Sequence, residues 1–338
     1  MTPFISIVVP ILNEEACIER LARSLLDQDY PHDRYEILMA DGGCTDRTLE
    51  ILRAVDAQHR IRVIPNPRRT APAALNELIP ASRGEIITRV DGHSFLAPDY
   101  LRRVVEVMEE TGESVVGGPV RMEADTPFRK ALVEALYSPI AVGSVPYRTL
   151  RTRAFVGSLQ TGSFRRDVLE KVGPWDESLA VVEDLDMNTR IIESGHRLLL
   201  DPSIRFWYLP RPGLRALWRQ ITQVGRVKAR ILKKHPRIFR TKYVLPSVFV
   251  ITMALSAAAA ASSVLGAPTI VPAAGGAVLS AYALVVLAFA VSRIPRVGIH
   301  ALRLVAILPV LHFGYGIGFL RGALDPPPAG LKARASTP

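Results

Sequence analysis

Two stretches of this 338-residue sequence bring together side chains capable of chemistry. In "EIITRVDGHSFLAPDYL" an apolar run stops at Asp91, and His93 follows across Gly92. Residues two apart in an extended chain point the same way. An aspartate oxygen and an imidazole nitrogen can therefore share one divalent cation, and imidazole shifts such a site from Mg²⁺ toward Mn²⁺. The plainer reading is that Asp91 caps a turn through Gly92 and His93 is merely exposed. In "VGPWDESLAVVEDLDMNTRIIESGHRLL", Glu183, Asp184 and Asp186 crowd the start of a helical pattern whose apolar positions are Leu185, Met187, Ile191 and Ile192. Acids in a first turn favour the helix dipole. Three of them repel one another, and a positive partner or a bound proton would offset that. A carboxylate held beside a substrate hydroxyl can act as general base.

The elements that must position these groups are legible as alternating strands and helices. "FISIVVPIL" is an Ile- and Val-rich run of the kind buried on both faces of a sheet, and it ends at Asn13-Glu14-Glu15. "EACIERLARSLLDQD" follows with helical spacing. "YEILMADGG" is a second strand ending at Asp41, and "CTDRTLEILRAV" opens a second helix. "IRVIPN", "APAALNELIPAS" and "EIITRVDGH" supply a third strand, a third helix and a fourth strand. Such alternation predicts an α/β fold, an open and mostly parallel sheet, with ligands beyond the carboxyl ends of the strands. The first strand-to-helix turn, "PILNEEA", is not G-x-G-x-x-G, and no GK[ST] loop occurs, which argues against hydride transfer and P-loop chemistry.

Charge and hydropathy divide the chain. Residues 1–210 hold 25 basic and 31 acidic residues, whereas 211–242 hold 11 basic residues and no acid. Val244 to Ser292 carries no Asp, Glu, Lys or Arg and reads as two spans, 244–265 and 269–292, around the turn-like Gly266-Ala267-Pro268. Each is long enough to cross a hydrocarbon core of about 30 Å. A third apolar segment, 304–320, is shorter and holds His312 and three glycines, leaving open whether it spans, re-enters or lies at the interface. The expected organisation is a soluble domain over 1–210, a basic amphipathic segment over 211–243, a transmembrane region over 244–322 and a flexible tail over 323–338. Leu214, Leu217, Trp218, Ile221, Val224, Ile231 and Leu232 form the apolar stripe of the basic segment. Bordering spans, it predicts a helix in the headgroup plane attracted to anionic lipid, not a nucleic-acid surface. Two cysteines, Cys17 and Cys44, are too few for a disulfide framework, and "MTPFISIVVP" does not read as a signal peptide. Arg293, Arg296 and Arg303 after the second span suggest that the soluble part is cytoplasmic.

Taken in order, "SIVVPILNEE", "MADGGCTD", "NPRRTAPAALNELIPASRGEIITRVDGHSFLAPDYL" and "GSFRRDVLEKVGPWDESLAVVEDLDMNTRI" resemble family 2 glycosyltransferases of the GT-A fold over residues 4–210. "NPRRTAPAALN", the D-x-H and the "WRQ…GR…AR…KKHP" segment are similar to succinoglycan-type exopolysaccharide glycosyltransferases. The resemblance implies a Rossmann-like sheet with flanking helices and a nucleotide-sugar donor, with UDP-glucose leading. It assigns Pro10, Leu12, Asn13 and Glu15 to the nucleotide-binding loop and Asp41 to the base or ribose. Asp91 matches the metal-binding acid, with His93 where a second acid normally sits. Asp184 matches the catalytic base and Glu183 its partner. Ala40 and Cys44 depart from the usual D-D-G-S. Arg68 and Arg69 are candidates for touching the diphosphate, or members of a solvated loop. Trp218, Arg219 and Gln220 fall near a family Q-x-x-R-W motif but differ from it, so no catalytic role carries over.

The expected enzyme is an inverting, membrane-anchored transferase of the bacterial-type inner membrane. It passes one sugar to a lipid-linked oligosaccharide in exopolysaccharide biosynthesis, with other assembly enzymes as candidate partners. The charge-free spans speak against a polymer-exporting channel. The rivals are transfer to polyprenyl phosphate or another lipid, and an inactive nucleotide-sugar-binding scaffold.

Overall fold

The structure is a computed structural model that describes residues 2–142 and 146–326. It forms two compact units. The first consists of Met1–Met122 and Pro146–Leu209 and contains both sheets. The second takes the described residues of Glu123–Val145 and Pro210–Pro338, so a segment inside the expected 1–210 domain belongs with the C-terminal region.

The first unit begins β1 (Ile5–Ile11), α1 (Ile18–Leu26), β2 (Tyr35–Asp41), α2 (Thr48–Val55), β3 (Ile61–Pro65), α3 (Ala71–Ala81), β4 (Ile86–Arg89). β1 lies in register with β2, Ile5 opposite Tyr35 through Ile11 opposite Asp41, and with β4 on its other side, Ile5 opposite Ile86. Its side chains alternate between two cores. Ile5, Ile7, Val9 and Ile11 pack with Ile18, Leu21 and Leu25 of α1, while Val8 joins Leu75 and Leu78 of α3. That period of two is what an apolar strand covered on both faces requires, and each fully buried Ile or Leu contributes about 1.5–3 kcal/mol. Thr70 caps α3 by accepting from the Ala73 amide.

Shorter elements follow: β5 (Ser94–Leu96), α4 (Tyr100–Thr111), β6 (Val115–Gly117), β7 (Val120–Met122), then α5 (Pro127–Leu136) of the second unit. The first unit resumes with β8 (Ala154–Val156), β9 (Ser163–Arg165), α6 (Arg166–Val172), α7 (Glu183–Glu193), β10 (Leu198–Leu200) and β11 (Phe206–Tyr208). The large sheet has the order β3-β2-β1-β4-β9-β6-β10-β8, and β5-β11-β7 forms a second, small sheet. The first four strands are parallel, as expected, but β9 runs antiparallel to β4 and β6, and β8 antiparallel to β10. Three-residue strands are too short to show a period in sequence. Because β1 is hydrogen-bonded to β2 on one side and β4 on the other, the strand order reverses at β1. A crevice at the carboxyl ends of β1 and β4 is where such sheets bind ligands.

The second unit is helical. Besides α5 it contains α8 (Leu214–Lys234), α9 (Leu245–Ala261), α10 (Ile270–Ser292) and α11 (Leu304–Leu324). A 3-10 turn, Ser262–Leu265, extends α9, and α11 runs unbroken through Pro309. Three stretches are long and apolar enough to cross a membrane: Leu245–Leu265, Ile270–Ser292 and Ile294–Leu324. The tail expected from 323 falls, from 327 on, outside the described residues.

Candidate active site

The loops after β1 and β2 are laced together. Asn13, in the left-handed region at φ 54°, accepts from the Thr45 amide at 2.8 Å and donates its own amide to Cys44 Sγ at 3.2 Å. The Glu14 amide donates to Thr48 Oγ1 at 2.8 Å. Glu15 donates its amide to Asp46 and accepts at Oε2 from the Arg47 amide, each at 3.1 Å. Asp41 Oδ1 caps its own turn, accepting from Gly43 and Cys44 at 3.0 and 2.9 Å. Gly43 is left-handed at φ 77° and lies against the Arg69 guanidinium. Pro10 and Leu12 are half-buried beside this turn, Leu12 packing on Gly42. Burial pushes the Cys44 thiol up to about 11, so it stays protonated and is no nucleophile.

At the end of β4 the organising side chain is Arg89, 6 % exposed. Its Nη2 donates to Asp91 Oδ1 at 3.0 Å and to Glu183 Oε1 at 2.5 Å. One buried cation thus joins the strand end to the first residue of α7, 94 positions away. Asp184, next in that helix, is half-buried and acts electrostatically on both Arg89 and Glu183. Burial raises the Glu183 carboxyl to about 7, opposed by Arg89 and reinforced by Asp184 and Asp91. Arg89 is held protonated by those same acids against the cost of its burial. Crowded acids call for a positive partner or a bound proton, and Glu183 has the partner and an affinity for the proton. Asp186 has a cation of its own, Arg190 at 2.9 Å. Val182 precedes the helix at φ 59°, a left-handed conformation that is costly for a β-branched residue.

His93 reaches toward the β1 loop. Its Nδ1 is 3.4 Å from Glu14 Oε1, and its ring meets Tyr208 edge-on with centroids 4.8 Å apart. Glu14 also lies across Gly92, where a β-carbon would fall 2.8 Å from Glu14 Cγ. Contacts therefore run from Asp41 through Cys44 and Asn13–Glu14 to His93, and from Asp91 through Arg89 to Glu183. Arg68 lies outside this chain, holding Glu77 at 2.5 Å and Glu177 at 2.8 Å. Asn76 braces the same loop, donating to Trp175 O and Glu177 Oε1.

Sequence reasoning missed Arg89 and Glu14. The signal for Arg89 was present, since a cation in an otherwise apolar strand must find a counter-charge when buried. Glu14, only 9 % exposed, looked like one more loop acid. As to a metal, among the described residues no three His, Cys, Asp or Glu side chains are grouped to hold one. Asp91 is bonded to Arg89 and His93 faces Glu14 and Tyr208, so were the two to hold a cation it would be as a two-ligand site completed by substrate oxygens. Mg²⁺ commonly binds that way, through one or two carboxylates plus phosphates.

Residues 6–173 match the sequence model of the family described as Glycosyl transferase family 2. The chain is 29% identical over 243 residues to the succinoglycan biosynthesis protein ExoA of Rhizobium meliloti, covering 71% of this chain and 73% of that one. It is 25% identical over 240 residues to a dolichyl N-acetyl-alpha-D-glucosaminyl phosphate 3-beta-D-2,3-diacetamido-2,3-dideoxy-beta-D-glucuronosyltransferase of Methanococcus voltae, covering 68% and 74%. Among solved structures, a mannosyltransferase of Pyrobaculum calidifontis in complex with GDP-Man and Mn²⁺ superposes with a TM-score of 0.57. The identity is 19%, and 92% of this chain and 88% of that one are covered. With the motifs, the sheet order and these likenesses in agreement, the chain belongs to glycosyl transferase family 2, and its first unit has the GT-A fold.

Proposed function

We propose that the chain transfers one sugar, with inversion, from a nucleoside-diphosphate sugar to a lipid-linked saccharide at a membrane surface. The observation that carries this reading is the buried Arg89 bridge, which holds Asp91 and the start of α7 at one place by the β1/β4 crevice. The loop residues Pro10, Leu12, Asn13, Glu15 and Asp41 line the nucleotide. Asp184 takes the proton of the acceptor hydroxyl. The hydroxyl oxygen bonds to the anomeric carbon as the bond to the diphosphate breaks and the diphosphate departs with the electron pair. Glu183 is unsuited to that proton transfer, being buried and engaged by Arg89, and it positions its neighbour instead. A divalent cation held by Asp91 and His93, when bound, supplies positive charge to the leaving diphosphate. The apolar hairpin of the second unit is the membrane anchor, and Arg293, Arg296 and Arg303 favour a cytoplasmic catalytic unit at the inner membrane.

Asp184→Asn tests the assignment. The variant should bind donor normally and lose transfer by roughly 10²–10⁴-fold, and transfer near the wild-type rate would remove Asp184 as base. Thermal-shift screening of nucleotide sugars with Mn²⁺ should single out one donor, with UDP-glucose the first to try. Asp91→Asn should abolish the metal dependence of that shift.

A further inference from the structure

An α-helix that is apolar all round has two homes, the lipid or a protein interior. The hairpin of α9 and α10 shows the lipid-facing pattern, with Leu255 67% and Leu284 65% exposed. α11 has a similar composition and a different environment: from Ile307 to Leu320 no residue is exposed. What encloses it includes α8, the basic helix. A β-carbon on Gly318 would fall 2.0 Å from Thr222 O, one on Gly322 2.1 Å from Arg226 O, and one on Gly225 2.2 Å from Tyr315 O. Glycine alone permits that approach, as in small-xxx-small helix pairs. Four residues along α8 match four along α11, so the two helices run side by side in the same direction. Arg226 pairs with Asp325 at 2.7 Å, and Lys233 Nζ donates to the carbonyls of Ala323 and Asp325 at 2.7 and 2.6 Å.

Depth follows from charge. α8 carries Arg215, Arg219, Arg226, Lys228, Arg230, Lys233 and Lys234 with no acid, and hydrocarbon excludes such a helix while a headgroup layer accepts it. A helix zipped to α8 backbone against backbone must share its depth. The contacts of α11 with the hairpin agree. Gly316 lies against Pro246 and Val250, Ser247 Oγ donates to Gly316 O at 3.3 Å, and Phe249 packs on His312 and Phe313. Those are the opening turns of α9. Tyr282, bonded to His312 at 3.0 Å, faces Phe249 across the hairpin and so sits at the same level. His312 Nε2 is satisfied by Ile140 O at 2.8 Å.

We infer that α11 is not a third membrane crossing: it lies with α8 in the headgroup layer of one leaflet, an anionic-lipid-facing platform at the foot of a two-span hairpin. The chain after α11 then remains on the face from which α9 enters. None of this depends on the catalytic roles given to Asp91, His93 or Asp184.

Sided labelling tests it. Thr269→Cys, after the hairpin turn, and Leu324→Cys, at the end of α11, are exposed positions. Each is placed singly in a chain whose Cys17 and Cys44 are replaced by serine, then probed with a membrane-impermeant maleimide in sealed vesicles of defined orientation. Labelling from opposite faces is the expected result, and labelling of both from the same face would overturn the inference. An epitope fused after residue 338 of the wild-type chain answers the same question without substitutions. It should be accessible on the face that exposes the N-terminal unit, and access only from the other face would restore a third crossing.

Discussion

Two arginines in the first unit each clamp two carboxylates from distant segments, in opposite surroundings. Arg68 joins Glu77 of α3 to Glu177 with side chains 46, 47 and 33% exposed. Arg89 joins Asp91 to Glu183 with side chains 7, 17 and 8% exposed. The topology of the two clamps is alike, but water screens one and is excluded from the other. A solvated pair contributes about 0–1 kcal/mol, while removing one member of a buried pair costs roughly 3–5 kcal/mol because it strands the other charge. The sequence drew attention to the arginine in "PRRT", yet the coupling that builds the site lies at the buried one.

The contrast between the clamps can be broken at its strongest point first. Arg89→Ala should destabilise the first unit by about 3–5 kcal/mol and abolish transfer, measured by pulse proteolysis and activity in detergent. Arg89→Lys, which keeps the charge but not the reach and planarity of the guanidinium, should fall between. A smaller effect isolates Glu183. Its carboxyl is raised from the ordinary 4.5 to about 7 in the folded chain, so the native state holds a proton that the unfolded chain has released. That contribution is fully present below pH 4.5 and fades as pH rises through about 7. Glu183→Gln should flatten this part of the stability–pH curve, and an unchanged slope would mean another group is responsible. Arg68→Ala should cost least, about 1 kcal/mol or less. Should it destabilise as much as Arg89→Ala, burial is not what separates the clamps.

The parallel half of the large sheet was legible because each strand from β1 to β4 is a mostly apolar run, broken at Ser6, Glu36, Arg62 and Thr88, that ends in polar residues. α7 was legible to its first residue because Glu183 starts both the acid cluster and the apolar period. β5 to β11 were hidden, since three residues cannot display alternation and antiparallel insertion of β9 is decided by distant partners. The hydrogen-bonded joining of Asn13, Cys44 and Asp41 was also out of reach, because residues 28 to 31 positions apart meet only once β1 and β2 pair. Composition marked α11 as apolar. It could not tell a lipid neighbour from a glycine-matched helix, because apolar residues suit both.

The reach of the Arg89–Glu183 link bears on how the protein comes off the ribosome. β1 to β4 can condense once about the first 90 residues have emerged, since their pairings are near in sequence, but Glu183, the second of the two carboxylates on Arg89, is synthesised 94 residues later. Until then Arg89 has Asp91 alone as its counter-charge, and the long loop to α7 must still close. Completion of the catalytic pocket is thereby tied to translation of nearly the whole first unit, which keeps a half-made chain from acting on nucleotide sugars.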